Sequence, residues 1–307
     1  MFVLPGRRFA LLTVAVALCL QSFSHEADAQ ANSVGGVRGQ PRYGVLIAGL
    51  DSDPESSNRD RRTDAHTDTL VLLTSRAGSG VVDALHIPRD TRVPGPGTGF
   101  MKINGIYMSA DKRALSRAVE TLTGIPVNAV LMLDFSRFRR TVALVGSIPF
   151  DVDKAIWTPE GDVTLPAGWR RLNSRQALAV VRFRHEPLGD IGRVHRQERF
   201  LRSAVAVASR LPFALFAQAM RTLDAHVSGH DIAMAYAAVH PLVMYRAHSV
   251  PGNFSTGPGA SYWLPDQSGL RAITGLVMGE SDALPAFARW RNNGAVHDAD
   301  DGRDRSL

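Results

Sequence analysis

The stretch YGVLIAGL, residues 43–50, decides the reading of the fold. It is a continuous apolar run with no polar alternation, which reads as a central strand buried on both faces. It runs into Asp51 and a charged loop from Ser52 to Thr67. Beyond that loop, DTLVLLTS (Asp68–Ser75) and VVDALHI (Val81–Ile87) read as two strands joined by the turn RAGSG. A turn that short makes a hairpin, so the sheet is mixed rather than wholly parallel.

Working outward, apolar residues at helical spacing place a helix from Ser109 to Gly124. AVLMLD (129–134) and IPFDVD (148–153) read as strands flanking a helix at Phe135–Val145. DVTLPAGWRRL (162–172) reads as a loop or hairpin, and Ser174 as the N-cap of a helix running to about Arg184. After the break at Glu186–Gly189, a long amphipathic helix is expected from Ile191 to Leu223, with Pro212 as its interruption. A helix over Asp231–Tyr245, a strand at AHSVPG (247–252) and a helix over Gln267–Met278 complete the pattern. Alternating strands and helices predict an α/β class, with a three-layer α/β/α domain around a central mixed sheet. The domain is placed at residues 43–285, with a polar tail at 286–307.

The N-terminus carries Arg7 and Arg8, an apolar run from Phe9 to Leu20, and Ala27-Asp28-Ala29 before Gln30. That order reads as a secretory signal peptide over 1–29, followed by a small, polar linker over 30–42. The run is shorter than the ~20 residues a membrane helix needs; an uncleaved anchor is the alternative. The one cysteine, Cys19, lies within the signal, so disulfides and thiol chemistry are excluded from the mature chain. Outside the cytoplasm a group transfer needs a pre-activated substrate, since ATP is not supplied there. The net charge of +6 favours anionic partners such as a membrane surface or polyanionic glycans. Export argues against nucleic acid. No HExxH or GxSxG occurs, which argues against zinc hydrolysis and a serine hydrolase, and the glycine-rich pieces match no Walker A pattern.

The chemistry is carried by arginines and carboxylates. Asp51 and Asp68 stand at strand ends, where a hard cation such as Mg²⁺ takes oxygen ligands or a carboxylate acts as base; capped turns of solvated acids are the bland alternative. Arg89 follows Pro88 directly after a strand, so its guanidinium leaves the strand end in a defined direction or pairs with Asp90. Lys102 and Asn104 lie in the loop PGPGTGFMKING, where lysine offers phosphate a point charge. Arg182 and Arg184 diverge by about 200° on a helix and share a ligand only where that helix ends; otherwise they form a solvated face. Arg193 and Gln197, four apart, share a face, and Asp190 precedes that helix to cap it or steer an arginine. Forked donors beside carboxylates suit a diphosphate and a divalent metal.

The segments VLIAGLDS, TDTLVLL, HIPRDTRV, KINGIY, LVGSIPFDV, VRFRHE and GDIGRVHRQERFL, in this order from Tyr43 to Met278, resemble the LytR–CpsA–Psr proteins of the bacterial envelope. The resemblance implies an α/β/α fold with an apolar pocket for a polyprenyl chain. It also implies an Mg²⁺-dependent phosphotransferase that moves a glycopolymer from polyprenyl diphosphate to peptidoglycan or another envelope acceptor. By position Asp51 and Asp68 match the acidic metal-site residues. Arg89, Lys102, Arg182, Arg184, Arg193 and Gln197 match the diphosphate set, and Asp190 matches the acid before its last arginine. A lipid-diphosphate hydrolase and a polyprenyl-phosphate or glycan binding protein are the alternatives. The sequence departs from the family pattern at His66-Thr67, where an arginine is usual, and at Gly146-Ser147, where Gly-Gly is usual.

Overall fold

The computed structural model describes residues 42–50, 66–76, 78–158, 161, 163–183, 189–255 and 261–280, with the backbone alone at 189–191. The segments read as signal peptide, linker and tail lie outside these residues, apart from Arg42.

Strands β1 (Arg42–Leu50), β2 (Thr67–Arg76) and β3 (Val81–His86) form an antiparallel meander. A hairpin of β4 (Arg92–Pro94) and β5 (Phe100–Lys102) and the short helix α1 (Ile106–Ser109) lead to helix α2 (Lys112–Thr123). The Asp111 carboxylate caps α2 by accepting from the Ala114 N–H, and Gly124, at φ 69°, closes it. Strand β6 (Ala129–Leu133) then adds parallel to β1. Helix α3 (Phe135–Val145) leads to β7 (Ile148–Val152), and a hairpin of β8 (Ile156–Trp157) and β9 (Thr164–Leu165) precedes β10 (Gly168–Leu172). Helices α4 (Ser174–Arg182), α5 (Gly189–Ala208), α6 (Phe213–Leu223) and α7 (Gly229–Val239) follow. Strand β11 (Met244–Ser249) adds parallel to β3, and a hairpin of β12 (Gly252–Phe254) and β13 (Trp263–Pro265) leads to α8 (Gln267–Met278).

The central sheet has the order β11-β3-β2-β1-β6 and is mixed, as expected. Side chains alternate across a strand, so the apolar run of β1 feeds two cores. Leu46 and Ala48, with Leu70, Leu72 and Leu85, pack on Leu115 and Val119 of α2 and Ile273 and Val277 of α8. Tyr43 and Val45 turn to the other face and meet Phe216 and Met220 of α6 and Ile232 and Ala235 of α7. Each fully buried leucine here contributes about 1.5–3 kcal/mol. A further cluster joins Val142 of α3, Phe150 of β7, Val180 of α4 and Phe200 of α5. The layers are therefore α/β/α.

Several local expectations are corrected. The N-cap of α4 is Asn173, one residue before Ser174; its side chain accepts from the N–H groups of Arg175 and Gln176, while Gln176 reaches back in a capping box. The helix ends at Arg182 rather than Arg184. The expected long helix is two: the chain turns at Ser209–Leu211, and Pro212, which has no N–H to give, caps α6. Helix α7 ends at Val239, ahead of Pro241, so residues 244–249 are free to form the edge strand β11. Residues 164–165 and 168–172 do not pair with each other: β9 pairs with β8, and β10 with β7.

Candidate active site

The site gathers where β2 begins and β3 ends. The backbone holds the turn after β3 firmly: Thr91 N–H donates to the Pro88 carbonyl at 3.0 Å, and Asn104 N–H to the Arg89 carbonyl at 3.1 Å. From this frame Arg89 Nη1 donates to Asp68 Oδ2 at 2.9 Å. Arg89 Nε also lies 3.8 Å from Asp90, and Lys102 Nζ lies 2.6 Å from the other oxygen of Asp90. Both readings of Arg89 therefore hold: it leaves the strand toward Asp68 and keeps Asp90 as a neighbour. Asp68, Arg89, Asp90 and Lys102 form one row of alternating charge.

Asp68 also borders a cavity of about 880 Å³ between the second face of the sheet and helices α3 to α7. Its walls are chiefly apolar: Val45, Ile47 and Leu73 from the sheet, Phe138, Leu201 and Val205 from the helices. Ile47 and Leu73 sit in interior strands yet are only partly buried, because they face this space. Asp68, Arg182, Arg193 and Gln197 share its lining, so four expected site residues meet at one place.

Each is positioned differently. Arg182, the last residue of α4, is exposed, and its guanidinium lies 4.6 Å over the ring of Phe135. Arg193, on α5, is only 3 % exposed. Gln197, one turn further on, ties three elements together: its Nε2 donates to the Val181 carbonyl at 3.1 Å, and its Oε1 accepts from Thr69 Oγ1 at 3.3 Å. Its amide thus serves the wall of the site, joining α4, α5 and β2. Lys102 reaches Asp90 rather than the cavity wall. Asp51 and Arg184 lie outside the described residues, as does the side chain of Asp190; its backbone falls within the first turn of α5 rather than before it.

Two residues of the site were not singled out from the sequence. Arg196, three residues after Arg193, is 2 % exposed and donates from Nη1 to the Phe183 carbonyl at 2.8 Å, bracing the end of α4; its helical spacing from Arg193 was the available signal. His86 lines the cavity at 6 % exposure, and burial, with a smaller push from His195, lowers its pKa to about 4. Its position at the end of a strand was visible, but its facing was not. Among the described residues no group of three or more His, Cys, Asp or Glu side chains converges.

The family model of LytR_cpsA_psr matches residues 18–239, and the chain belongs to this family. The chain is similar to regulatory protein MsrR of Staphylococcus aureus, at 26 % identity over 58 % of this chain and 53 % of MsrR. It is 30 % identical to the polyisoprenyl-teichoic acid–peptidoglycan teichoic acid transferase TagV of Bacillus subtilis, over 53 % of this chain and 43 % of TagV. The chain thus spans about half the length of the relatives it matches. The crystal structure of B. subtilis TagV superposes with a TM-score of 0.63 at 22 % identity, covering 81 % of this chain and 98 % of that one. TagT with bound octaprenyl pyrophosphate lipid superposes at 0.60 and 21 % identity, covering 80 % and 92 %. At these identities the structural likeness is one of fold.

Proposed function

We propose that this protein is an extracytoplasmic phosphotransferase that moves a glycopolymer from a polyprenyl-diphosphate carrier to peptidoglycan or another acceptor of the cell envelope. One observation carries the reading: an apolar cavity of about 880 Å³ shares its lining with Asp68, Arg182 and Arg193. Such a space suits a molecule that is hydrocarbon at one end and anionic at the other. Burying the hydrocarbon yields about 0.8 kcal/mol per CH₂, and guanidinium forks hold phosphate oxygens in two-point contacts. The activity named for TagV and the octaprenyl pyrophosphate bound by TagT support the same assignment. The signal-like N-terminus and basic charge support work at a membrane surface. Among the described residues no helix is long and apolar enough to cross a membrane.

In the reaction the acceptor hydroxyl attacks the sugar-side phosphorus. A new P–O bond forms, the bond to the bridging oxygen breaks, and polyprenyl phosphate leaves with that oxygen and its electron pair. The hydroxyl proton passes to a carboxylate, Asp68 or Asp51. Arg182 and Arg193 bind the diphosphate and stabilise the charge that grows on the departing phosphate; Arg89 fixes Asp68 and, with Lys102, adds positive charge beside it. The diphosphate stores the driving force, so no ATP and no covalent enzyme intermediate are required.

The donor set fits Mg²⁺, which takes one or two carboxylates together with substrate phosphates and water. Asp68, whose side chain borders the cavity, and Asp51 would hold it, both being hard oxygen donors. When bound, the ion neutralises charge on the phosphate oxygens.

The test incubates the purified protein with a polyprenyl-diphosphate sugar, with and without Mg²⁺ and peptidoglycan fragments, and follows polyprenyl phosphate and acceptor-linked glycan. Product that requires both Mg²⁺ and acceptor is expected. Release of polyprenyl phosphate without acceptor linkage favours a hydrolase. Binding without either product favours a carrier-binding protein.

A further inference from the structure

His86 ends β3, opposite Val71 of β2. Val71, His86 and, four residues upstream of His86 on the same face of β3, Val82 all line the cavity, so the imidazole belongs to its wall. It is 6 % exposed, and its Nε2 has no hydrogen-bond partner among the described residues. A polar atom buried and unsatisfied is costly and rare in native folds. The atom itself is sealed in the structure, but the ring that carries it lines a space large enough for a ligand, and a turn of the ring is what presents it there.

Its place along that space matters. Three residues further on, the same segment supplies Arg89 to Asp68, and the Ile87 N–H, bonded to the Leu70 carbonyl at 3.0 Å, keeps β3 against β2 up to that point. Deeper along the sheet the wall is Leu73 and Val45, with no charge. His86 thus stands at the boundary between the charged end and the apolar interior. A prenyl diphosphate entering hydrocarbon first presents the sugar-side phosphate, then the lipid-side phosphate, then carbon. The polar atoms that fall at this boundary are those of the lipid-side phosphate.

We propose that His86 is a direct substrate contact, donating its Nε2–H to the lipid-side phosphate of a prenyl diphosphate. This deepens the function proposed above and rests on it. In the free protein burial and the nearby His195 hold its pKa at about 4, so the imidazole is neutral before substrate binds. A neutral ring meets the phosphate with a single N–H. The lipid-side phosphate is also the leaving group, so a donor aimed there gains strength as the bridging bond breaks.

The experiment uses farnesyl diphosphate, farnesyl monophosphate and farnesol as probes. The ¹⁵Nε2 resonance of His86, assigned by its absence from His86→Gln, is followed in the unsubstituted protein, and affinities are measured by calorimetry. Both phosphates are expected to shift that resonance, while farnesol leaves it in place. His86→Ala is expected to weaken both phosphates roughly tenfold to a hundredfold and farnesol little; His86→Gln, which keeps an N–H donor, recovers most of the loss. Farnesyl diphosphate that binds without moving the His86 resonance overturns this proposal alone. So does an equal loss of farnesol affinity in His86→Ala, which marks a packing role. A protein that binds no farnesyl diphosphate overturns the proposed function and this contact with it.

Discussion

Arg182→Ala separates a working site from a solvated helix end. Arg182 closes α4, is exposed, and rests its guanidinium 4.6 Å over Phe135. An exposed cation–π contact is worth about 0.5–1 kcal/mol. Losing it lowers the melting temperature by only about 1–4 °C in a domain of this size. A charge-assisted hydrogen bond to phosphate is worth about 1.5–3 kcal/mol, so the variant loses roughly 10- to 150-fold in affinity for farnesyl diphosphate. Farnesol, which has no phosphate, binds both proteins alike. Arg182→Lys keeps the charge but not the fork and falls between them. Calorimetry with the two ligands, beside a thermal melt of each protein, gives every number needed. Equal diphosphate affinity in Arg182→Ala, or an equal loss for farnesol, refutes the reasoning.

Three further outcomes are expected. Asp83 is fully buried and bonded to Arg42 at 3.0 Å, to Arg246 at 2.6 and 2.8 Å, and to His248 at 3.2 Å; Asp83→Asn leaves the two arginines unbalanced and costs about 3–5 kcal/mol in urea unfolding. Acid destabilises in two windows. The folded pKa of His86, about 4, lies below its unfolded value near 6.5, so the unfolded chain gains a proton first and up to about 3 kcal/mol is lost as pH falls between them. Desolvation pushes Asp83 up, but hydrogen bonds from His248 and Arg246 and the charges of Arg246 and Arg42 together outweigh it and depress the pKa, so its contribution is present above its unfolded pKa and lost as pH falls through the folded one. Urea midpoints measured from pH 8 to 3 check this, and His86→Gln flattens the upper window. Gly80 has φ 65°, and a Cβ there would lie 2.6 Å from the Pro241 carbonyl oxygen; Gly80→Ala is expected to lower stability by at least about 1–2 kcal/mol in the same assay.

The frame of the domain was legible because its signals are local. Residues 43–50 are apolar without alternation because both faces of β1 are covered, and RAGSG is too short for anything but a hairpin. The cavity was not legible. Val45, which packs against α6 and α7, and Ile47, which faces open space, are the same kind of residue two positions apart. Spacing placed Arg193 and Gln197 on one face correctly, yet it carried nothing about Thr69 and Val181, the partners that absorb the Gln197 amide. Those partners come from elements 128 and 16 residues away, a relation only the fold creates. The helix boundaries at Asn173 and Ala208 were blurred for a different reason: Asn173 and Ser174 are both good caps, and Pro212 is compatible with a kink as well as a break.

The central claim is that the apolar cavity and the charged residues beside it are one site for one lipid diphosphate. A prenyl diphosphate carrying a diazirine near its hydrocarbon end, cross-linked to the protein and mapped by mass spectrometry, tests it most directly. The account predicts labelling at cavity residues such as Leu201, Val205 and Phe216, abolished by unlabelled prenyl diphosphate and weakened in Arg182→Ala. Labels confined to exposed surface residues such as Trp169, or cavity labels that excess prenyl diphosphate does not displace, would contradict it.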